Sequence, residues 1–437
     1  MKKLYFLCLI LAFSAHNLLA QSWNALGTND PGTTVKAIAV SPVDGSIYVA
    51  GTFTGVNYIA KKNPTTGALE NIGSGTNGPV YTLAFHNNEL YVGGNFTNAG
   101  GVAVSNVAKV SSSGTWSAVG TGFSAEVYCL YSDGTNLYAG GGFIQNGTAS
   151  TNLAHIAKWN GSDWAIVGTG TTYTVRAIMM HNSVLYLGTD NISSPVYSFN
   201  GSAFTAISGL SGGKVNALAS YSSYLYVGGE FTTPTFAAAR YNPSTSSWGT
   251  ISTTFLGSEK INALYTRANV LYIGGVFTNK GVTANANYVA KVLLQGSNPT
   301  PLQTIITDNV GGEVFAIGNS NGKVIVGGDL LGTLKHAAIT STTIGIDEIS
   351  SVVSDIQLYP NPVKDFARID VHYTQFQKAP EVRIYDMQSR LISLPVEADN
   401  KGMESHFTID CTTLPEGNYL YTIESDGSAI ASGMFIK

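Results

Sequence analysis

The chain has 437 residues, of which only 11% are charged and 49 are glycine, and its formal net charge is −4. Globular proteins typically have ~25% charged residues and ~7% glycine, so Ser, Thr and Asn are expected to supply most of the polar surface here. This composition excludes a basic surface for nucleic acid and a polybasic patch for membranes. The length predicts at least two domains or one large repeat array.

The first 20 residues are typical of a signal peptide. Lys2 and Lys3 precede an apolar run over residues 4–13, and Ala20 offers a small residue for cleavage. The run is too short for a transmembrane helix, and no later window has ~18 uninterrupted apolar residues. We therefore predict residues 1–20 to be a signal peptide on an exported chain without a transmembrane segment.

Residues 21–341 repeat one pattern seven times. An apolar strand that ends in glycines, such as "LYVGG" at 90–94, recurs about every 46 residues and is flanked by three further strand signals. This spacing is typical of a four-stranded propeller blade. The copies align on an aromatic or apolar residue before the glycines: Tyr48, Tyr91, Tyr138, Tyr186, Tyr226, Tyr272 and Ile325.

The fourth strand of the last copy is found at the other end of the chain. The last copy stops near Ile339, whereas residues 22–27 match the "TWSAVG" pattern of the fourth strands. Pairing the two would close the ring and leave no exposed sheet edge. We therefore predict an all-β fold in which residues 21–341 form a seven-bladed β-propeller closed by its N-terminal strand. The residues that begin four of the fourth strands are Trp116, Trp164, Phe204 and Trp248.

The Gly-Gly pairs followed about two strands later by Trp resemble the kelch and galactose-oxidase-like propellers. The likeness rests on Gly93-Gly94 with Trp116, on Gly140-Gly141 with Trp164 and on Gly228-Gly229 with Trp248. It implies the fold and leaves the activity open, because propellers serve as enzymes and as binding proteins. A copper site with a Tyr–Cys cross-link is not expected: the histidines are scattered, and neighbouring strand residues Tyr128 and Cys129 point to opposite faces. Another tyrosine could reach Cys129, but a small buried hydrophobic residue is the favoured interpretation. We predict no metal and no cofactor.

Candidate ligand-binding residues are those that vary between copies at one register. The second position of each first strand varies freely, and these side chains would line a central channel if they share one side. A mixture of aromatic, amide and charged groups suits sugars or peptide segments, while packing between blades and a solvated rim is the alternative. The second-position residues are Lys36, Tyr81, Tyr128, Arg176, Asn216, Asn262 and Phe315. Neighbouring loop residues are Glu126, Tyr173, Lys214, Glu259, Lys260 and Glu313.

A different pattern begins after a predicted linker at 342–354. Residues 355–437 show short alternating strands separated by Pro, Gly and Asn, which predict a small Ig-like β-sandwich. Its motifs resemble the C-terminal sorting domain of the type IX secretion system, type A, although Ser389 stands where that family usually has Gly. The motif residues are Tyr359, Pro360, Asn361, Pro362, Tyr385, Asp386, Leu414, Pro415, Gly417, Tyr419 and Lys437.

This second resemblance implies a partner and a location. A protein with such a domain passes through the type IX secretion machinery and is released from, or attached to, the outer-membrane surface of a Gram-negative bacterium. An ordinary adhesive sandwich domain is the alternative interpretation of residues 355–437. Cys129 and Cys411 lie in different predicted domains, so no disulfide is expected between them.

The sequence as a whole favours a secreted or cell-surface binding protein with a glycan or protein ligand and an adhesion-type role. A secreted carbohydrate-active hydrolase or lyase that uses the propeller face is the alternative, and a structural surface-layer component is a third possibility. Convergent carboxylates in the channel would favour an enzyme, and the sequence suggests few acids there. Binding is therefore favoured over catalysis.

Overall fold

The computed structural model describes residues 23–340, except 54, 112, 252–254, 268, 279–286, 295–309 and 321, and residues 353–437, except 374–379, 387–389, 402–403 and 426–427. The predicted signal peptide and most of the predicted linker lie outside the described residues. Across these ranges the regular structure is all β apart from one 3-10 turn, Gly332–Leu334. No helix within them is long and apolar enough to cross a membrane.

The described residues between 23 and 340 form seven antiparallel sheets in chain order. The first strands of the sheets are Val35–Val40, Val80–His86, Val127–Ser132, Val175–His181, Val215–Tyr221, Lys260–Arg267 and Val314–Ser320. The second strands are Ile47–Gly51, Glu89–Gly94, Leu137–Gly141, Val184–Thr189, Tyr224–Gly229, Val270–Val276 and Lys323–Gly328. The third strands are Ile59–Lys62, Val107–Val110, Ile156–Trp159, Val196–Phe199, Ala238–Asn242, Val289–Leu293 and Ala337–Thr340. The fourth strands of sheets one to five are Leu69–Asn71, Trp116–Ala118, Trp164–Ile166, Phe204–Ala206 and Ser247–Thr250.

The N-terminal strand belongs to the last sheet. Trp23–Ala25 pairs antiparallel with Ala337–Thr340, with Trp23 opposite Thr340, and so supplies the fourth strand of the seventh sheet. Each first strand contacts the first strand of the next sheet, and that of the seventh sheet contacts that of the first. The seven first strands, called inner strands from here on, therefore form a closed ring. A short hairpin, Asn98–Ala99 with Val102–Ala103, lies outside this pattern.

The repeated glycines are explained by two close approaches. A Cβ on Gly140 would lie 2.5 Å from Val175 Cγ1 of the next sheet, and one on Gly327 would lie 2.4 Å from Val35 Cγ1. The first glycine therefore lets successive sheets meet. The second glycine leaves room for the carbonyl of the residue before the inner strand of its own sheet, as where a Cβ on Gly141 would lie 2.1 Å from Glu126 O.

The core lies between the sheets. The second strands are buried along almost their whole length because a sheet covers each of their faces. Behind the glycines follows a phenylalanine that is no more than 2% exposed, in the positions of Phe53, Phe96, Phe143, Phe231 and Phe277. Burial of such a side chain stabilises the fold by roughly 2 kcal/mol.

Residues 353–437 form two four-stranded sheets over one core. In order across the sheet, the first contains Val353–Tyr359, Phe366–Tyr373, Glu404–Asp410 and Val396–Lys401. The second contains Leu391–Ile392, Glu381–Asp386, Asn418–Ser425 and Ser428–Ile436. Ile369 and Phe407 of one sheet and Ile384 and Ile423 of the other share one buried cluster. Val353, at the end of the predicted linker, already begins a strand.

Candidate ligand site at the ring of inner strands

Each inner strand carries a bulge at its second position. Val35 pairs with Gly51 and Ala37 with Ala50, so Lys36 is the extra residue between them. The same shift occurs in all seven inner strands. A bulge redirects the side chain of the extra residue. The seven variable residues predicted to line the channel are these extra residues, and each is half-buried.

Aromatic and cationic side chains of the ring contact one another across sheet boundaries. The rings of Tyr81 and Tyr128 stack with centroids 5.5 Å apart, and the Arg176 guanidinium lies 5.0 Å from the Tyr128 centroid. On the other side of the ring, Lys36 Nζ lies 3.0 Å from the Phe315 centroid. These contacts join the second sheet to the third and fourth, and the seventh to the first.

Two asparagines continue the ring. Asn216 Nδ2 donates to Ile261 O at 3.2 Å, and Asn262 Nδ2 donates to Val314 O at 3.1 Å. Asn262 also donates to Glu313 Oε1 at 2.9 Å. The second-position residues of sheets five and six are therefore held by hydrogen bonds to the neighbouring sheet, so they have less freedom to meet a ligand than the aromatic group.

Four of the six predicted loop residues form polar contacts with side chains of neighbouring segments. Lys260 pairs with Glu313 at 2.7 Å, and Lys214 pairs with Glu230 at 3.2 Å. Glu126 accepts a long hydrogen bond, 3.5 Å, from Asn95. The other two are Glu259 and Tyr173. Glu259 accepts hydrogen bonds from the backbone N–H groups of Leu256 and Thr278. The ring of Tyr173 lies 6.4 Å from that of Tyr197, which is in the third strand of the fourth sheet.

Several acids at this site were missed by the sequence analysis. The residue after each glycine position pairs with the residue before the inner strand: the N–H groups of Asp190, Glu230 and Asp329 donate to the carbonyls of Thr174, Lys214 and Glu313 at 3.2, 2.9 and 2.9 Å. Three further acids therefore lie directly beside the residues that precede the inner strands. Strand register reveals them, because the end of the second strand lies beside the start of the inner strand in an antiparallel hairpin.

Burial shifts the pKa of three residues of the ring in favour of the neutral form. It lowers the pKa of Lys36, against the attraction of the Asp329 and Glu313 carboxylates. Burial also raises the pKa of Tyr81 and of Tyr128, and nearby Glu126 raises both further. The two phenols are therefore neutral hydrogen-bond donors at neutral pH. Arg176 Nε is buried without a hydrogen-bond partner in the part of the chain that the structure describes.

Cys129 lies behind this ring. Its sulfur is 3.9 Å from Val175 O, and burial raises the pKa of the thiol. Cys129 and Cys411 are both free. Among the described residues, no group of three or more His, Cys, Asp or Glu is arranged to hold a metal ion.

The C-terminal motif residues converge although they are far apart in the chain. Asn361 Oδ1 accepts the N–H of Ile436 at 3.0 Å, and Gly417 exchanges two backbone hydrogen bonds, of 3.1 and 2.8 Å, with Lys437. Tyr419 stacks on Phe435 at 5.5 Å. The motif residues Asn361, Gly417 and Tyr419 therefore hold the end of the chain, from Phe435 to Lys437, in place.

Pro415 and Asp386, two of the other motif residues, form contacts within their own segments. Leu414 is buried, and the Tyr419 hydroxyl donates to Pro415 O at 2.8 Å. Asp386 pairs with Arg390 at 2.6 Å, next to half-buried Tyr385. Pro360 and Pro362 are exposed.

Tyr359 belongs to a polar cluster on the first of the two C-terminal sheets. Although burial opposes it, hydrogen bonds from Tyr359, Arg368 and His406 lower the pKa of Asp370 to about 2. The cluster therefore keeps this carboxylate charged at acidic pH values at which an ordinary aspartate is protonated.

Comparison with known proteins identifies the C-terminal region. Residues 357–437 match the family described as the secretion system C-terminal sorting domain. No curated protein matches the chain.

Two solved structures resemble the chain at low identity. A computationally designed protein, Ika8, is 13% identical with a TM-score of 0.46, and the match covers 73% of this chain and 99% of that one. The GH74 enzyme of Niastella koreensis is 14% identical with a TM-score of 0.46, and the match covers 93% of this chain and 68% of that one. Similarity at this level gives no information about the activity of this chain.

The family match covers the motifs at Asn361, Gly417 and Lys437, which the fold brings together at the last strand. Residues 357–437 are therefore a secretion system C-terminal sorting domain, which supports secretion or surface attachment through the type IX system.

Proposed function

We propose that the chain is a secreted or cell-surface binding protein whose glycan or protein ligand binds at the ring of inner strands. In this proposal residues 1–20 are a signal peptide and residues 21–341 a seven-bladed β-propeller closed by its N-terminal strand. Residues 342–354 link the propeller to an Ig-like sorting domain at 355–437. Seven sheets with mutually contacting inner strands support the propeller.

One observation carries the binding role: all seven inner strands bulge at a position whose residue type differs between copies. If this position served packing alone, equivalent surroundings would favour equivalent side chains, as they do at the buried phenylalanines. The bulges instead direct different side chains to one ring. Such variation on a repeated scaffold is typical of a recognition surface.

The strongest ligand contacts are expected at Tyr81, Tyr128 and Arg176. Two stacked aromatic rings offer an apolar face, two neutral phenols offer donors, and the guanidinium has an unused buried donor at Nε. Flat apolar faces beside hydrogen-bond donors suit a sugar ring or a peptide segment. The Lys36 and Asn262 side of the ring already satisfies its own groups.

The test is a screen of the mature chain, residues 21–437, on glycan and extracellular-protein arrays. Tyr128→Ala and Arg176→Ala should each weaken the binding of any hit at least tenfold, because each removes a side chain at the centre of the site. Ser244→Ala, at an exposed turn far along the fifth sheet, is the control and should bind like the unmodified chain. Binding that is unchanged in both ring variants would refute the assignment of the site.

The alternative, a carbohydrate-active hydrolase or lyase, is supported by the carboxylates beside the ring. Asp190, Glu230 and Asp329 join Glu126 and Glu313 there, and paired carboxylates are the usual catalytic groups of glycoside hydrolases. Each glycan that binds should therefore also be assayed for cleavage. Turnover lost in Asp329→Asn or Glu230→Gln would replace the binding role by an enzymatic one.

A further inference from the structure

A cleft of about 670 Å³ opens between the third and fourth sheets. It includes the turn at Ser183 between the inner and second strands of the fourth sheet, and it reaches Val167 and Gly168 just after the fourth strand of the third sheet. Its lining is aromatic and apolar with a polar rim, and includes Tyr138, Lys158, Val167, Met180, Phe199 and Asn200.

At three other sheet boundaries an indole bridges the corresponding space. Trp116 Nε1 donates to Ile72 O at 2.8 Å, Trp164 Nε1 to Val119 O at 3.2 Å, and Trp248 Nε1 to Ser208 O at 2.8 Å. In each case the fourth strand of one sheet sends its tryptophan to the end of the fourth strand of the preceding sheet. The indole therefore packs between the two sheets and donates a hydrogen bond to a backbone carbonyl of the preceding sheet.

The boundary between the third and fourth sheets lacks this indole. Phe204 pairs with Phe199 in the register in which Trp116 pairs with Val110, so Phe204 takes the place of the tryptophan. A phenyl ring is smaller and has no N–H donor. The corresponding carbonyl is that of Val167, since Gly170 N donates to it as Gly75 N donates to Ile72 O. Val167 and its neighbour Gly168 line the cleft.

The rim of the cleft carries an unpaired cation. Lys158 lies opposite Tyr138 as Lys109 lies opposite Tyr91 in the second sheet. Lys109 pairs with Glu89 at 2.8 Å. Lys158 is exposed and forms no ion pair with any residue in the described ranges. Its ammonium group is therefore available to an anion or to the face of a ring.

We propose that this cleft is a second binding site, which accepts a planar aromatic group with an N–H donor, such as an indole, and prefers one that carries an anionic substituent. The ring packs against Tyr138 and Phe199, its N–H donates to Val167 O, and Lys158 binds the anion. The site is independent of the ring of inner strands. Apolar cavities in proteins are known to bind small aromatic molecules such as benzene, because the apolar lining contacts the apolar ring.

The experiment is ligand-observed NMR titration of the mature chain with indole-3-acetate and 1-naphthaleneacetate, which lacks the N–H donor. N-acetyltryptophanamide represents a tryptophan side chain in a peptide. Indole-3-acetate should bind more tightly than 1-naphthaleneacetate. Tighter binding of indole-3-acetate than of N-acetyltryptophanamide would assign the site to free anionic small molecules. The reverse order would assign the site to a tryptophan side chain of a peptide and would overturn the preference for an anionic substituent.

Phe204→Trp introduces the residue found at three other boundaries and should abolish binding of all three probes. Phe204→Leu keeps the cleft open and should retain binding of the probes. Lys158→Gln should weaken the binding of indole-3-acetate by about two- to fivefold. If Phe204→Trp does not fold, Val184→Trp at the half-buried rim is the second blocking variant. Tyr128→Ala should leave the titration unchanged. No binding by the unmodified chain, or equal binding by the blocked variant, would overturn the proposal.

Discussion

Replacement of the bridging indoles should destabilise the fold in proportion to their burial. Trp116 and Trp248 each donate a hydrogen bond of 2.8 Å to a carbonyl of the preceding sheet. Trp116 is 6% exposed, whereas Trp248 is only half-buried. Because the hydrogen-bond length is matched and the solvent access of the indole differs, Trp116→Phe and Trp248→Phe form a controlled pair.

The expected magnitude for Trp116→Phe follows from two losses. The buried hydrogen bond contributes about 1 kcal/mol net, and the three ring atoms removed contribute roughly 1–2 kcal/mol of apolar burial. Ile72 O still accepts the N–H of Gly75 at 3.1 Å, so it does not add the full cost of an unpaired carbonyl. The free energy of unfolding should therefore fall by roughly 2–3 kcal/mol. At Trp248 water replaces the lost donor, and the loss should stay under about 1 kcal/mol.

The assay is urea unfolding of the mature chain, followed by tryptophan fluorescence and by far-UV circular dichroism. Coincident transitions would show that the repeat region unfolds as one unit. Equal losses for the two variants would refute the argument that burial sets the contribution of each indole. No loss in either variant would refute the structural role of the bridge.

Three further outcomes are expected. Burial lowers the pKa of His181, which bonds to Ser220 at 2.8 Å, so the unfolded state binds more protons; thermal stability should fall as the pH drops below about 6.5, and by less in His181→Asn. Gly140→Ala should lower the free energy of unfolding by about 1–3 kcal/mol, measured in urea, because its Cβ would lie 2.5 Å from Val175 Cγ1. Asn361→Ala releases the last strand and should reduce export of the chain, measured in culture medium and on cells, while Ser244→Ala should be exported normally.

The repeat also shows how one departure creates a local property. The fourth sheet has Thr189 at the position of the second glycine, where its hydroxyl donates to Pro195 O at 3.1 Å, and it has Phe204 in place of tryptophan. The neighbouring copies keep both features. A repeat protein tolerates such changes because each sheet contacts only its neighbours, so the effect stays at one boundary.

The repeats, the strands within them and the sorting domain follow from the sequence alone. Strand signals are local: apolar runs, glycines and turn residues recur at one spacing, and the match of residues 22–27 to the fourth-strand pattern predicts the pairing of Trp23–Ala25 with the last sheet. The sorting-domain motifs are likewise short segments that can be recognised one by one.

The site and the cleft depend on the tertiary structure. Which acids stand beside Lys36 is decided by strand register, and whether its side chain joins the ring is decided by a bulge that adds no distinctive residue to the sequence. The cleft lies between two packed sheets at a boundary where Phe204 stands in place of an indole, and only the packed structure reveals it. The packing between two sheets depends on contacts between residues some 40 positions apart in the chain, and a local sequence pattern does not show which of these residues meet.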